Sequence, residues 1–67
     1  MKIANLFMNP AVNDETQITI SVALIALGQE KPLVSGRWFE DKMLEWSDAD
    51  VQGLVWDLNN NKLDITI

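Results

Sequence analysis

The sequence contains no cysteine, no histidine and no tyrosine. Without cysteine there is no disulfide framework and no thiolate nucleophile. Without cysteine and histidine the usual zinc-type ligand set is missing. The lack of histidine also removes the commonest general base. Glycine is scarce, and Gly28, Gly36 and Gly53 are isolated, so they build no phosphate-cradling loop. Basic residues are few, five against ten acids, for a net charge of −5. That balance repels phosphate and argues against direct nucleic-acid binding. The longest apolar run, residues 22–27, is far short of the ~20 residues that span a bilayer. Residues 1–10 carry one lysine and a broken apolar run, unlike an export signal. These absences lead to the expectation of a cytoplasmic protein with no membrane association, no cofactor and no metal.

What remains is a chain of 67 residues, 48% hydrophobic, read as a single small domain over residues 1–67. A domain of this size buries only about 60% of the surface its unfolded chain exposes. Ordering the backbone costs roughly 1–2 kcal/mol per residue, which apolar burial barely offsets. With no disulfide or metal to help, the expected supports are a well-packed core and association with itself or another protein, although small size alone does not demand the latter. A homodimer is therefore one expectation.

Residues 2–8 alternate weakly and read as a short strand stopped by Asn9-Pro10. Residues 16–27 give the clearest strand, β-branched at first, with Ile18, Ile20 and Val22 on one face. A helical turn over residues 22–27 competes with it but is disfavoured by the β-branched lead-in. Residues 28–32 read as a turn and residues 33–39 as a third strand, antiparallel to the second. Gly36 marks a bulge or a point where a neighbouring side chain crosses the backbone. Residues 40–46 fit either a helical turn or the return strand of a hairpin. Residues 47–59 read as a helix, with Ser47 as N-cap, Asp48 and Asp50 in its first turn, and Val51, Leu54, Val55 and Leu58 as its apolar stripe. Asn59-Asn60-Asn61 ends it with one left-handed asparagine, and residues 62–67 form a last, docked strand. The fold class is α+β: a small antiparallel sheet of three to four strands (β-β-β-α-β), with one helix packed on one face.

Residues 40–50 hold half of the carboxylates, Glu40, Asp41, Glu45, Asp48 and Asp50, among the tryptophans Trp38, Trp46 and Trp56. Asp48 and Asp50 have a local use at the expected helix start, whereas Glu40, Asp41 and Glu45 do not. As acid–base pairs these carboxylates are unconvincing, because adjacent residues rarely face one site, and the serines lack a histidine partner. Asp48-Ala49-Asp50 resembles the opening of a calcium loop, and Gly53 falls at the loop's glycine position, but Asn59 stands where the loop needs its terminal glutamate. Enzymatic activity is not expected.

Carboxylates beside large flat aromatics instead suggest a binding surface for a basic partner. The expected partner-binding residues are Arg37, Trp38, Glu40, Asp41, Glu45, Trp46 and Trp56. Arg37 offers a planar anchor, and an exposed tryptophan offers apolar area. The expected function is a small acidic protein-interaction module, an inhibitor or regulator acting by occlusion or nucleic-acid mimicry. Short, acidic, cysteine-free chains of this kind are common among phage and mobile-element accessory proteins. The alternative is a structural homo-oligomer subunit in which the second sheet face pairs with its own copy and the acids only keep it soluble.

Overall fold

The computed structural model describes residues 1–24 and 28–67, Leu24 by its backbone alone. Its elements in chain order are α1 (Ile3–Phe7), β1 (Gln17–Leu24), β2 (Gln29–Gly36), α2 (Asp41–Leu44), β3 (Gly53–Asp57) and β4 (Lys62–Thr66). The four strands form one sheet in the order β2-β1-β4-β3. β1 pairs antiparallel with β2 and parallel with β4, and β3 pairs antiparallel with β4. The α+β class and the sheet are as expected; the sheet is mixed rather than antiparallel throughout.

The centre of the sheet follows from its side chains. Register places Ile18 beside Leu63 and Ile20 beside Ile65, and all four are 0% exposed. Val34 and Gly36 of β2, and Leu54 and Trp56 of β3, continue the same face outward. α1 covers that face with Ile3, Leu6 and Phe7; Val12 and Met43 complete the lid. The other face is polar: Gln17, Thr19, Ser35, Lys62, Asp64 and Thr66, joined by hydrogen bonds such as Gln17 Nε2 to Ser35 Oγ at 2.7 Å and Thr66 Oγ1 to Glu30 Oε1 at 3.1 Å. A sheet with one packed and one wetted face alternates in this way. The face that the homo-oligomer alternative left to pair with its own copy is therefore largely polar.

Several elements differ from expectation for identifiable reasons. Residues 2–8 hold a helix, not a strand. Ile3, Leu6 and Phe7 stand at i, i+3, i+4, and a seven-residue segment fits that period as well as alternation. The first N–H groups of α1 are satisfied from outside the helix, Ile3 donating to Ala49 O and Ala4 to Ser47 O, both at 3.0 Å. Residues 40–46 take the helical of the two alternatives, as α2.

Residues 47–59 are not a helix. They pass through turns into β3, where Leu54 and Trp56 point to the core side and Val55 to the polar side. The i, i+3, i+4, i+7 match was coincidental. Gly53 weakens a helix, Val55 and Trp56 favour a strand, and pairing with β4 decides. Asn61, at φ 53°, is left-handed as anticipated, but it closes the β3–β4 hairpin rather than a helix. β2 begins at Gln29 and includes Pro32, so the turn assigned to residues 28–32 is confined to its start, where Gly28 has φ 62°. Pro32 is tolerated because β2 is an edge strand and the register slips beside it, between Ile20 and Ser21. β2 stops at Gly36, so Trp38 and Phe39 lie beyond the strand. The expectations for residues 25–27 lie outside the described residues.

The core makes a quantitative prediction. Ile20→Ala removes a fully buried side chain and is expected to cost about 2–5 kcal/mol. Val55→Ala, on the wetted face, is expected to cost less than about 1 kcal/mol. A domain of this length holds only about 3–10 kcal/mol in total. Urea titration followed by tryptophan fluorescence reads both values; comparable losses would contradict the one-sided core.

Candidate functional site

The segment from Arg37 to Asp50 connects β2 to the lane that leads into β3. Backbone bonds run through much of it: Leu44 N–H to Glu40 O, Glu45 N–H to Asp41 O, Trp46 N–H to Met43 O, Ser47 N–H to Leu44 O and Ala49 N–H to Trp46 O. The helical path extends past α2 as tighter i→i−3 turns. Met43, buried, and Trp46, part-buried, face the core. Asp41, Leu44, Glu45 and Asp48 stand at i, i+3, i+4 and i+7, and all are exposed.

Each expected binding residue has a definite place. Arg37 is exposed; its backbone N–H donates to Glu40 Oε2. Glu40 also pairs with Lys42 at 3.8 Å, so this carboxylate closes the turn after β2. Trp38 is part-buried, donates its indole N–H to Asp14 Oδ1 at 3.0 Å, and meets Phe39 edge-on with ring centroids 5.7 Å apart. Trp46 and Trp56 are part-buried against the core, Trp56 on β3 and away from the α2 segment in sequence. Asp41 and Glu45 make no ion pair among the described residues.

The exposed apolar groups of this segment are therefore Phe39 and Leu44, at 44% and 42%, rather than the tryptophans. The helical alternative for residues 40–46 would have turned Phe39, Met43, Leu44 and Trp46 all inward. A four-residue helix has room for only one inward row, and Met43 and Trp46 take it. Asp48 changes status as well. With no helix starting at Ser47, it loses its capping role, and Ser47 Oγ donates back to Leu44 O at 2.6 Å. Asp50 instead pairs with Lys2 at 3.0 Å and pins the N-terminal lane.

The site is thus a ridge on which Asp41, Glu45 and Asp48 accompany Phe39 and Leu44. No pocket is enclosed and no metal-ligand cluster forms among the described residues. No described helix is long and apolar enough to cross a membrane. Comparison with protein families, with characterised proteins and with solved structures finds no match to this chain.

Two predictions concern the carboxylates that hold the fold. A β-carbon on Gly36 would meet Glu40 Oε2 and lie 2.8 Å from Lys42 Cε. Gly36→Ala is therefore expected to displace the Glu40 cap and cost about 1–3 kcal/mol. Glu40→Gln, which keeps the shape, is expected to cost less in the same urea titration. Asp50 is held below the ordinary aspartate range by the Lys2 hydrogen bond and charge, and Asp57 by hydrogen bonds from Asn60. A depressed carboxyl stabilises the fold above its unfolded pKa, and that stability is lost as pH falls through the folded value. Carbon-detected NMR titration should show both groups ionising below free aspartate, with Lys2→Met returning Asp50 alone towards the ordinary value.

Proposed function

We propose that this chain is a small acidic protein-interaction module, an inhibitor or regulator that occludes a basic protein surface through the α2 ridge. The observation that carries the reading is the division among carboxylates. Glu40, Asp14, Asp50 and Asp57 are engaged with partners inside the fold. Asp41, Glu45 and Asp48 share one exposed row and make no ion pair among the described residues. Surface charge without an internal partner steers association with a surface of opposite sign. Leu44 within that row, and Phe39 exposed just before α2, supply the apolar contact that charge alone lacks.

The partner's basic groove would meet acids spaced along a ridge, as it would meet phosphates. Binding would then be competed by duplex DNA or RNA, a feature of mimicry that simple occlusion lacks. The reading as a structural homo-oligomer subunit draws its support from the unprotected outer edge of β3, on a different part of the molecule.

The deciding experiment captures partners from native-host lysate with the intact chain and measures the affinity of the purified partner by calorimetry. Asp41→Lys, Glu45→Lys and Asp48→Lys together are expected to weaken binding by on the order of a hundredfold, with circular dichroism unchanged. Glu40 is left in place because it closes a turn. Phe39→Ala with Leu44→Ala should weaken the same interaction, and raising salt should weaken it further. An affinity unaffected by the triple substitution would sink the proposal.

A further inference from the structure

The two outer strands of the sheet are built differently. β2 carries Glu30, Lys31 and Pro32 and is bulged against β1. Charge, proline and a bulge are the usual means of preventing edge-to-edge pairing. β3 reads Gly53-Leu54-Val55-Trp56-Asp57 and has none of these along its middle. Its register with β4 is continuous, and among the described residues no strand pairs with its outer edge.

The hydrogen bonds show which backbone groups that edge presents. Ile67 N–H donates to Ser21 O, so the odd-numbered residues of β4 turn their polar groups to β1 and Lys62, Asp64 and Thr66 turn theirs to β3. Opposite them are Asp57, Val55 and Gly53, which use their N–H and C=O on β4. The N–H and C=O of Leu54 and Trp56 therefore point outward. Their side chains lie on the core side, where Leu54 remains 37% exposed; Val55 is 63% exposed on the opposite face.

The geometry points to a second copy of this chain as the occupant of the β3 edge, paired antiparallel about a two-fold axis at Val55. In that register Leu54 of one copy faces Trp56 of the other. Both exchange N–H···O=C bonds, and Val55 faces Val55 across a non-hydrogen-bonded pair. The only charge on the strand, Asp57, meets Gly53 rather than another carboxylate. A parallel pairing would instead set Asp57 against Asp57.

The end of the lane also suits a carboxylate. Val51 N–H donates outward to Met1 O, whereas the next N–H, of Gln52, turns inward to Thr66 O. Met1 thus lies in the same outer lane, beyond Gly53. Its α-ammonium group, within Coulombic reach of Asp50, carries positive charge at this end of the lane, and Asp57 of the second copy would arrive beside it. Apolar self-complementarity and this charge match together select a copy of the chain over an arbitrary strand.

The absence of cysteine makes the test direct. A Val55→Cys chain should form a disulfide-linked dimer on mild oxidation, since non-hydrogen-bonded antiparallel partners bring Cα atoms to about 4.5 Å, within disulfide reach. Leu33→Cys, on the protected β2 edge, should cross-link no faster folded than in denaturant. Sedimentation of the unmodified chain at about 100 µM should show a dimer. Val55→Lys, a change on the wetted face that leaves the fold intact, should raise its dissociation constant on the order of tenfold or more. Asp41→Lys, Glu45→Lys and Asp48→Lys should leave the dimer in place, which separates this inference from the proposed function. A monomer at that concentration, equal cross-linking at positions 33 and 55, or a dimer indifferent to Val55→Lys would each overturn it.

Discussion

Everything in this fold hangs on the parallel contact between β1 and β4. It brings Ile18 and Ile20 against Leu63 and Ile65, and none of the four retains any contact with water. Each such side chain contributes roughly 1.5–3 kcal/mol by leaving water, so this quartet outweighs any single polar contact on the surface. A parallel pair cannot be closed by a tight turn. The chain between β1 and β4 must therefore travel around the sheet, and β2, α2 and β3 are the stations on that route. The two outer strands attach to opposite sides of the central pair, and α1 and α2 close over the side where the isoleucines point.

This constraint explains why the polar groups of the route are tied so locally. The turn after β2 is held by Glu40, the N-terminal lane by Lys2 and Asp50, and the β3–β4 hairpin by Asp57 with Asn60. Behind that hairpin, Thr16 Oγ1 accepts from Asn13 N–H at 3.0 Å and donates to Asn61 Oδ1 at 2.9 Å, so the loop before β1 and the turn before β4 share one buried hydroxyl. The two strands that must run parallel thus start from the same polar knot, which fixes their register as well as their direction. Exposed ion pairs contribute at most about 1 kcal/mol each. Their value here is in specifying turns, while the core supplies the stability.

The central strands were legible in the sequence because they carry their own pattern. The β-branched alternation of residues 17–22 and of residues 62–66 is unambiguous, and the faces it implied, Ile18 with Ile20 and Leu63 with Ile65, are those that are buried. The outer parts were not legible, because their periods are short and their structure is decided by partners distant in sequence. Residues 3–7 supply a single helical turn, too short to distinguish from alternation. Residues 51–58 matched a helical stripe closely, yet Leu54 and Trp56 answer to Ile65 and Leu63, which no local pattern reports. A helix over residues 47–59 would also place Asp48 in its first turn and leave no strand edge at Leu54, Val55 and Trp56.

The corrected topology separates two properties that looked like one in the sequence, where tryptophans and acids run together. Trp38, Trp46 and Trp56 all lean on the core, so the aromatic content is mainly structural. Of the exposed apolar groups, which also include Met1, Met8, Leu33 and Leu58, one pair, Phe39 and Leu44, lies in the α2 segment and another, Leu54 and Val55, on the β3 edge. The first lies beside carboxylates that make no ion pair among the described residues. The second is nearly neutral along its length and offers unsatisfied backbone groups in place of charge. A domain this small gains from covering such an edge, since pairing adds hydrogen bonds and buries apolar area at little cost in chain entropy for residues already ordered in β3. Pairing at β3 would leave the ridge of each copy facing outward, because α2 is attached to the chain on the β2 side of the sheet. Two ridges carried on one dimer would then bind a repetitive basic surface with avidity that neither has alone.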